Sequence, residues 1–379
     1  MKLAFCLFKY FPYGGLQRDF LRIARECHAR GHEIHVFTMK WEGDPEPNFH
    51  IHLLKPRGFT NHHRGRTFAN QLNAQMKKND FDLVIGFNKL PNLDVYYAAD
   101  VCYQARMKEE RSVIYRLLPR YREWTALEND VFAQGHKPEI FLISPFQQHE
   151  YESFYQTESA RFHLLPPGIS RDRIAPANAG EIRQQVREHH HLREDDLLLL
   201  MVGSSFKTKG VDRSIEALAS LPVNLREHCY LFVIGVDKKE PFEALANKLN
   251  VKDRVKFLGG RPDVPHYLLA ADLLLHPSHH ENTGTVILEA IAAGLPVLTI
   301  DVCGYAHYVT EAKAGHVLTS PFDQKTFNLV LEKMVTSGDR TAWHQNALSF
   351  AKDADIYSMP MKAVDLIESI GRERALSKI

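Results

Sequence analysis

The stretch Leu197-Leu-Leu-Leu-Met-Val-Gly-Ser-Ser-Phe-Lys-Thr-Lys-Gly210 reads as a strand that runs directly into a loop bearing glycine and lysine. Six consecutive apolar residues, Leu197–Val202, suit a strand covered on both faces, the environment of a parallel sheet. The amphipathic pattern Arg213–Ser220 follows, so the local order is strand, loop, helix. Lys207 and Lys209 then stand at the carboxyl edge of the sheet, where a lysine suits an anionic phosphate. The plain alternative is a turn with two solvated lysines.

The same alternation extends in both directions. Upstream, Leu3–Phe8, Ile34–Thr38, Leu83–Phe87, Ile140–Ile143 and Phe162–Leu165 read as strands, with amphipathic patterns such as Gln17–Arg30 between them. Downstream, Leu231–Ile234, Val255–Leu258, Leu273–Leu275 and Val297–Ile300 continue the series. Short apolar strands alternating with helices predict an α/β protein with parallel sheets. Pro166-Pro167-Gly168 ends the first series, and Ser170–Asp196 reads as a polar, weakly structured connector. Two Rossmann-like domains are expected, 1–168 and 169–355, with the segment 356–379 packing back on the first. A length of 379 residues agrees with two domains.

Composition narrows the function classes. Apolar residues make up 44% and charged residues 25%, the mix of a globular protein rather than a disordered or polytopic membrane chain. The 47 basic and 46 acidic side chains nearly cancel, against a protein that grips long nucleic acid. Cys6, Cys27, Cys102, Cys229 and Cys303 are widely spaced and form no C-x-x-C, so a reducing compartment is expected. No 18-residue apolar run occurs, and the run Leu3–Phe8 is too short for a signal peptide. His189-His190-His191 reads as a solvated helix end, because consecutive histidines diverge from a common ligand.

Two further segments carry candidate chemistry. Gly14-Gly15 follows the first strand and opens a helix, so backbone N–H groups there could meet a phosphate or sugar oxygen. G-x-G-x-x-G and the P-loop pattern are absent, which weakens dinucleotide-dehydrogenase and P-loop readings. The sharper segment is Glu281-Asn-Thr-Gly-Thr-Val-Ile-Leu-Glu289. Gly284 and Thr285 would start a helix whose free N–H groups could hold a diphosphate. Glu281 and Glu289 flank that position as acceptors for sugar hydroxyls. Glu289 lies within an apolar run and needs a partner. The D-x-D pairs Asp80/Asp82 and Asp353/Asp355 read as chance matches, not a metal site.

Glu281 and Glu289 have the E-x7-E spacing, and the chain resembles the retaining GT-B glycosyltransferases of family 4. Lys9–Phe20, Gly86–Lys89, Leu93–Tyr103, Lys209–Leu218 and Val302–Tyr308 resemble the lipopolysaccharide-core glucosyltransferase branch of that family. The resemblance implies two Rossmann-like domains facing a cleft. It implies transfer of glucose from UDP-glucose to the second heptose of the lipopolysaccharide inner core, without a metal or other cofactor. Glu289 would bind the ribose of UDP and Glu281 the 3- and 4-hydroxyls of the glucose. Lys209 and the backbone at Gly284 and Thr285 would hold the diphosphate, with Gly14 and Gly15 close to it. Asp19 and Asp100 would lie near the sugar or acceptor, Arg261 falls where the family contacts uracil through the backbone, and Arg173 would be within reach of the donor. Where many members carry Arg after the phosphate-loop glycine this chain has Ser204, and Lys207 is the substitute expected for that charge. No carboxylate stands out as a nucleophile, so front-face attack is implied. Rival readings are another nucleotide sugar as donor, or a non-catalytic scaffold on the membrane.

The near-neutral total conceals an uneven distribution. Residues 1–168 hold 22 basic and 19 acidic side chains, and residues 169–379 hold 25 and 27. The stretch 103–124 accounts for the whole basic excess of the first half through Arg106, Lys108, Arg111, Arg116, Arg120 and Arg122. It also carries Tyr115, Tyr121 and Trp124, and Ile114, Leu117, Leu118, Tyr121 and Trp124 recur at helical spacing. Arginine interleaved with aromatic residues suits an anionic membrane surface. The acceptor implied by the resemblance is a lipid of the inner membrane, so peripheral attachment to its cytoplasmic face is expected. Pro119 argues against one unbroken helix.

Overall fold

The computed structural model describes residues 1–12 and 14–377 and divides the chain into two units. Unit 1 comprises Met1–Gly168 and Tyr357–Ile379, and unit 2 comprises Ile169–Ile356. The apolar runs become strands of two sheets. Unit 1 contributes β1 (Lys2–Cys6), β2 (Glu33–Thr38), β3 (Phe49–Leu53), β4 (Leu83–Gly86), β5 (Val95–Ala98), β6 (Glu139–Leu142) and β7 (Phe162–Leu164). Unit 2 contributes β8 (Leu197–Val202), β9 (Cys229–Ile234), β10 (Val255–Gly259), β11 (Leu273–His276), β12 (Val297–Ile300) and β13 (Gly315–Leu318).

Every pairing in both sheets is parallel. The order is β3-β2-β1-β4-β5-β6-β7 in unit 1 and β10-β9-β8-β11-β12-β13 in unit 2. Each sheet thus reverses direction beside its own first strand, β1 or β8. Ligands of doubly wound sheets bind at that switch point, outside the carboxyl ends of the strands. Gly14-Gly15 follows β1 across a two-stranded pair, Lys9–Tyr10 with Lys40–Trp41, and Gly203–Gly210 follows β8.

Three strands of the two large sheets, and the short pair Lys9–Tyr10 with Lys40–Trp41, were not anticipated. β5 is only four residues and lies between Asp94 and a turn at Asp100. β3 and β13 are edge strands, half exposed and broken by histidine or begun by glycine, so neither has a continuous apolar run. The connector 170–196 is more ordered than its polarity predicts, because it holds the helix Ala179–His189. Arg183 and Arg187 of that helix reach Asp272 at 2.6 and 3.2 Å. Polar residues here tie a helix to the sheet rather than mark a loop.

The histidine run also departs from its reading. His189 and His191 are exposed, but His190 is half-buried, its Nε2 2.9 Å from the Tyr267 hydroxyl and its ring edge-on to Phe232. Burial lowers its pKa to about 4, so it is neutral at neutral pH. The C-terminal helix Met359–Ser377 places Met359, Ala363, Val364 and Ile367 in the same core cluster as Phe5, Phe20, Phe87 and Tyr97. Arg30 reaches Asp365 at 2.7 Å and Arg374 pairs with Asp94, fixing both ends of this helix to unit 1. No helix among the described residues is long and apolar enough to cross a membrane.

Candidate active site

Close backbone approach shapes the loop after β8. Gly210 has φ +77°, and a Cβ there would lie 2.1 Å from the Pro277 carbonyl oxygen. Only glycine tolerates both demands. The short helix Phe206–Lys209 is therefore pressed against the 276–284 loop, and the His279 amide donates to the Thr208 carbonyl at 2.7 Å. Arg213, 3.7 Å over the Phe322 ring, donates to the carbonyls of Pro277 and Ser278 at 3.0 Å each. Glu281 forms a backbone bridge with Cys303, and the Tyr305 amide donates to Thr283. The loop that carries Glu281 is thus held from three sides.

Three charged groups meet there. Lys209 Nζ donates to Glu281 Oε2, and His276 Nε2 lies 3.2 Å from the same oxygen. Ser278 Oγ is 3.2 Å from His276 Nε2. Burial alone would raise the Glu281 pKa, but the His276 hydrogen bond and the Lys209 charge lower it to about 2. Burial alone would lower that of His276, but its contacts with Cys303 and Glu281 raise it to about 9. Glu281 is therefore an anchored carboxylate beside two cations, not a proton donor at neutral pH.

Gly284, with φ +77°, opens the helix Thr285–Ala292. Glycine offers no capping side chain, and while the Ile287 amide donates to the Gly284 carbonyl at 2.8 Å, the Thr285 and Val286 amides and the positive end of the helix dipole are left for an anion. Glu289 sits in this helix, 6% exposed. Its partner is Arg173, whose Nε is 3.3 Å from Oε1, at the end of the 3-10 turn Arg171–Arg173. Arg173 thus balances the carboxylate expected to hold a ribose.

Lys207 departs from expectation. It is 71% exposed and pairs with Asp212 at 2.5 Å, so it does not join Lys209. Helix geometry puts positions 207 and 209 on different faces. Ser204 holds the loop instead, its Oγ accepting from the Val236 amide at 3.1 Å. The Arg261 guanidinium forks onto Asp263 at 2.7–2.8 Å and lies 4.9 Å over the Tyr267 ring, which leaves its backbone, the part expected to meet uracil, uninvolved in these contacts.

In unit 1, Gly15 starts the helix Gly15–Ala29 and Gly14 is its N-cap residue. A Cβ at Gly14 would lie 1.8 Å from Gln17 Oε1, whereas one at Gly15 would meet nothing within 4 Å. Asp19 receives Arg22 at 2.6 Å and the Tyr97 hydroxyl at 2.8 Å, so its carboxylate is fixed. The carbonyl of Asp100 accepts from Gln147 at 2.7 Å and Tyr151 at 3.0 Å, while the residue itself is exposed. A cavity of about 310 Å³ is lined by Phe8, Lys9, Gln17, Arg64, Asn88 and Trp124, among others. Asp80 and Asp82 stand at the amino end of β4, away from these loops, and Asp82 accepts from the Lys2 amide at 2.7 Å.

The basic stretch breaks into the helix Tyr103–Glu110, the 3-10 turn Val113–Leu117 and the helix Pro119–Phe132, with Pro119 at the first helical position. The apolar residues at helical spacing therefore do not share one helix face. Val113, Ile114 and Leu117 are 73%, 74% and 66% exposed, and Arg111, Arg116, Arg120 and Arg122 are exposed around them. Arg111 lies 5.5 Å over the Tyr115 ring, Arg106 pairs with Glu110 at 2.9 Å, and Lys108 lies 5.7 Å over Phe154. Tyr121 is half-buried between the rings of Tyr103 and Tyr115. Trp124 faces inward, its ring 6.0 Å from that of Phe8 and against Gly65, and so belongs to the cavity rather than the outer surface. Buried Glu128 anchors the stretch: it accepts from the amides of Tyr103 and Gln104 at 2.8 and 3.1 Å and from Lys89 and Tyr155 at 2.5 Å each.

His276, Ser278, Arg213 and Glu128 were not anticipated as site or anchoring residues. His276 had a legible signal, a polar residue closing the apolar run Leu273-Leu-Leu at the carboxyl end of a strand.

Residues 182–350 match the family of group 1 glycosyl transferases, and residues 13–173 match glycosyltransferase family 4. The lipopolysaccharide glucosyltransferase WaaG of Escherichia coli K12 is 48% identical over 368 residues, covering 97% of this chain and 98% of the relative. The crystal structure of WaaG superposes with a TM-score of 0.92, at 48% identity, over 96% of this chain and 99% of that one. Anabaena Alr3699/HepE with UDP-glucose shares the fold at 18% identity and a TM-score of 0.74, over 97% and 100% of the two chains. The chain belongs to glycosyltransferase family 4 and is a glycosyltransferase of the GT-B fold.

Proposed function

We propose that the chain transfers glucose from UDP-glucose to the second heptose of the lipopolysaccharide inner core, with retention and without a metal. The observation that carries this reading is the Lys209–Glu281–His276 group at the start of the Thr285–Ala292 helix, with Glu289 one turn further in. The name of the E. coli relative supports the lipopolysaccharide acceptor, and the UDP-glucose complex of the Anabaena protein supports the donor.

In this reading Glu289, held by Arg173, takes the ribose hydroxyls, and Glu281 takes hydroxyls of the glucose. Lys209 and the helix N-terminus face the diphosphate, where negative charge grows as UDP departs. Preorganised positive charge at that point lowers the barrier without a metal. The acceptor oxygen forms its bond to the anomeric carbon on the face that UDP leaves. Its proton passes to the departing phosphate oxygen.

Unit 1 carries the acceptor side. Its cavity joins aromatic walls to Lys9, Arg64 and Asn88, a mixture suited to an acidic saccharide. The exposed apolar tip Val113–Leu117, ringed by arginines, suits an anionic bilayer, where each basic residue near the surface contributes about 1 kcal/mol. In this reading the enzyme sits peripherally on the cytoplasmic face of the inner membrane, a reading the exposed basic and apolar tip supports.

Glu281→Ala tests the donor assignment. Turnover with UDP-glucose is expected to fall by about 10²–10³, the usual cost of one preorganised polar contact to the reacting group. Wild-type kcat in that variant would remove Glu281 from the reaction.

A further inference from the structure

At the amino half of β2, on the outer edge of unit 1, lies a second group of ligand-type side chains. β3 is the edge strand and pairs in parallel with β2, so that His35 stands opposite His50 and Phe37 opposite His52. Alternation along the strands puts Glu33, His35, His50 and His52 on one face of the sheet. We propose that Glu33, His35 and His50 bind zinc or a similar transition-metal dication, with His52 orienting His35.

Glu33 Oε1 lies 2.7 Å from His35 Nε2 and 3.9 Å from His50 Nε2, and the three ligand atoms lie within 4.8 Å of one another. Zinc bonds of 2.0–2.2 Å in a tetrahedron place ligand atoms roughly 3.4 Å apart. The ion is accommodated by side-chain movements of about 1 Å. Glu33 and His50 are 51% and 61% exposed and free to make them, while His35 is 12% exposed and fixed. The His35 ring stacks on His50 at 4.6 Å and His52 at 5.2 Å, with Phe81 edge-on at 5.1 Å.

The far nitrogen of His35 completes the argument. His35 Nδ1 is 2.9 Å from His52 Nε2. At that distance His52 Nε2 can accept the His35 Nδ1–H, which leaves His35 Nε2 with its lone pair toward Glu33 and His50. A metal-ligating histidine needs such a partner to set its tautomer and direction. Two imidazoles and one carboxylate leave the solvent side open for water, a donor set suited to zinc. The other candidate group, Asp195, Asp196 and His228, already holds a cation. Its Arg193 guanidinium is 3.1 Å from both Asp196 and His228. The site at Glu33 lies at the amino end of β2, away from the loops that follow β1, and would fasten the edge strand to its neighbour.

Zinc chloride titrated into the untagged full-length protein by calorimetry tests the proposal, with thermal unfolding of unit 1 as second readout. One equivalent is expected to bind and raise Tm. Both effects are expected to vanish in Glu33→Gln/His50→Asn, whose side chains are exposed and whose fold is retained. His52→Phe should keep the stoichiometry and weaken binding about 10–100-fold. His228→Asn should change neither. Zinc binding of wild-type strength in the double variant, or none in the wild type, would overturn the assignment.

Discussion

Replacing His276 by glutamine isolates the charge that supports Glu281. The imidazole is 1% exposed, so solvent screening does not dilute its interactions. Its pKa rises from 6.5 to about 9 in the folded protein, which corresponds to roughly 3 kcal/mol of folding stability. A raised histidine pKa contributes in full below about pH 6.5, and the contribution is lost as pH climbs through about 9. Glu281, lowered to about 2, reports the same ion pair from the other side and is not added. For a unit of this size about 3 kcal/mol equals roughly 6–12 °C in Tm. Thermal unfolding of unit 2 followed at several pH values should show the wild type losing most of that, about 2 kcal/mol, between neutral pH and about pH 9. His276→Gln should lack this decline, because it has no titrating group at the position. The gap between the two proteins should therefore narrow as pH rises. A gap that stays constant across the window would refute a charged His276.

Gly210→Ala forces a side chain into the left-handed region against the Pro277 carbonyl, so it should cost at least about 1 kcal/mol and raise the KM for UDP-glucose. Unchanged unfolding and unchanged KM would show that the two loops do not depend on this contact. Glu128→Gln leaves Lys89 without its carboxylate and should destabilise unit 1 by about 3–5 kcal/mol in denaturant titrations. Neutralising Arg116, Arg120 and Arg122 together should weaken flotation on anionic vesicles by about 3 kcal/mol and reduce its salt dependence. Equal binding would remove the segment from the membrane contact.

The sheets were largely legible because their central strands are apolar on both faces, as at Leu197–Val202 and Val297–Ile300. The edge strands β3 and β13 were not, since half of each faces solvent and the hydrophobic pattern dissolves. At the candidate site, Gly284-Thr285 was legible as the start of a helix, and Glu289 in an apolar run required a partner, which Arg173 provides. Sequence could not show that His276 shares the Glu281 oxygen, because that contact depends on the loop folding back after β11. Lys207 and Trp124 misled for one reason: composition identifies a cation or an aromatic ring but not the direction in which it points. One turns to Asp212 and the other to Phe8.

The most direct test of the account is incubation of the full-length protein with UDP-glucose and a lipopolysaccharide acceptor truncated at the inner core, followed by mass analysis. The account predicts addition of a single hexose, α-linked to the second heptose, in the presence of a metal chelator. Transfer only from a different nucleotide sugar, a product with inverted linkage, or an absolute need for a divalent ion would contradict it.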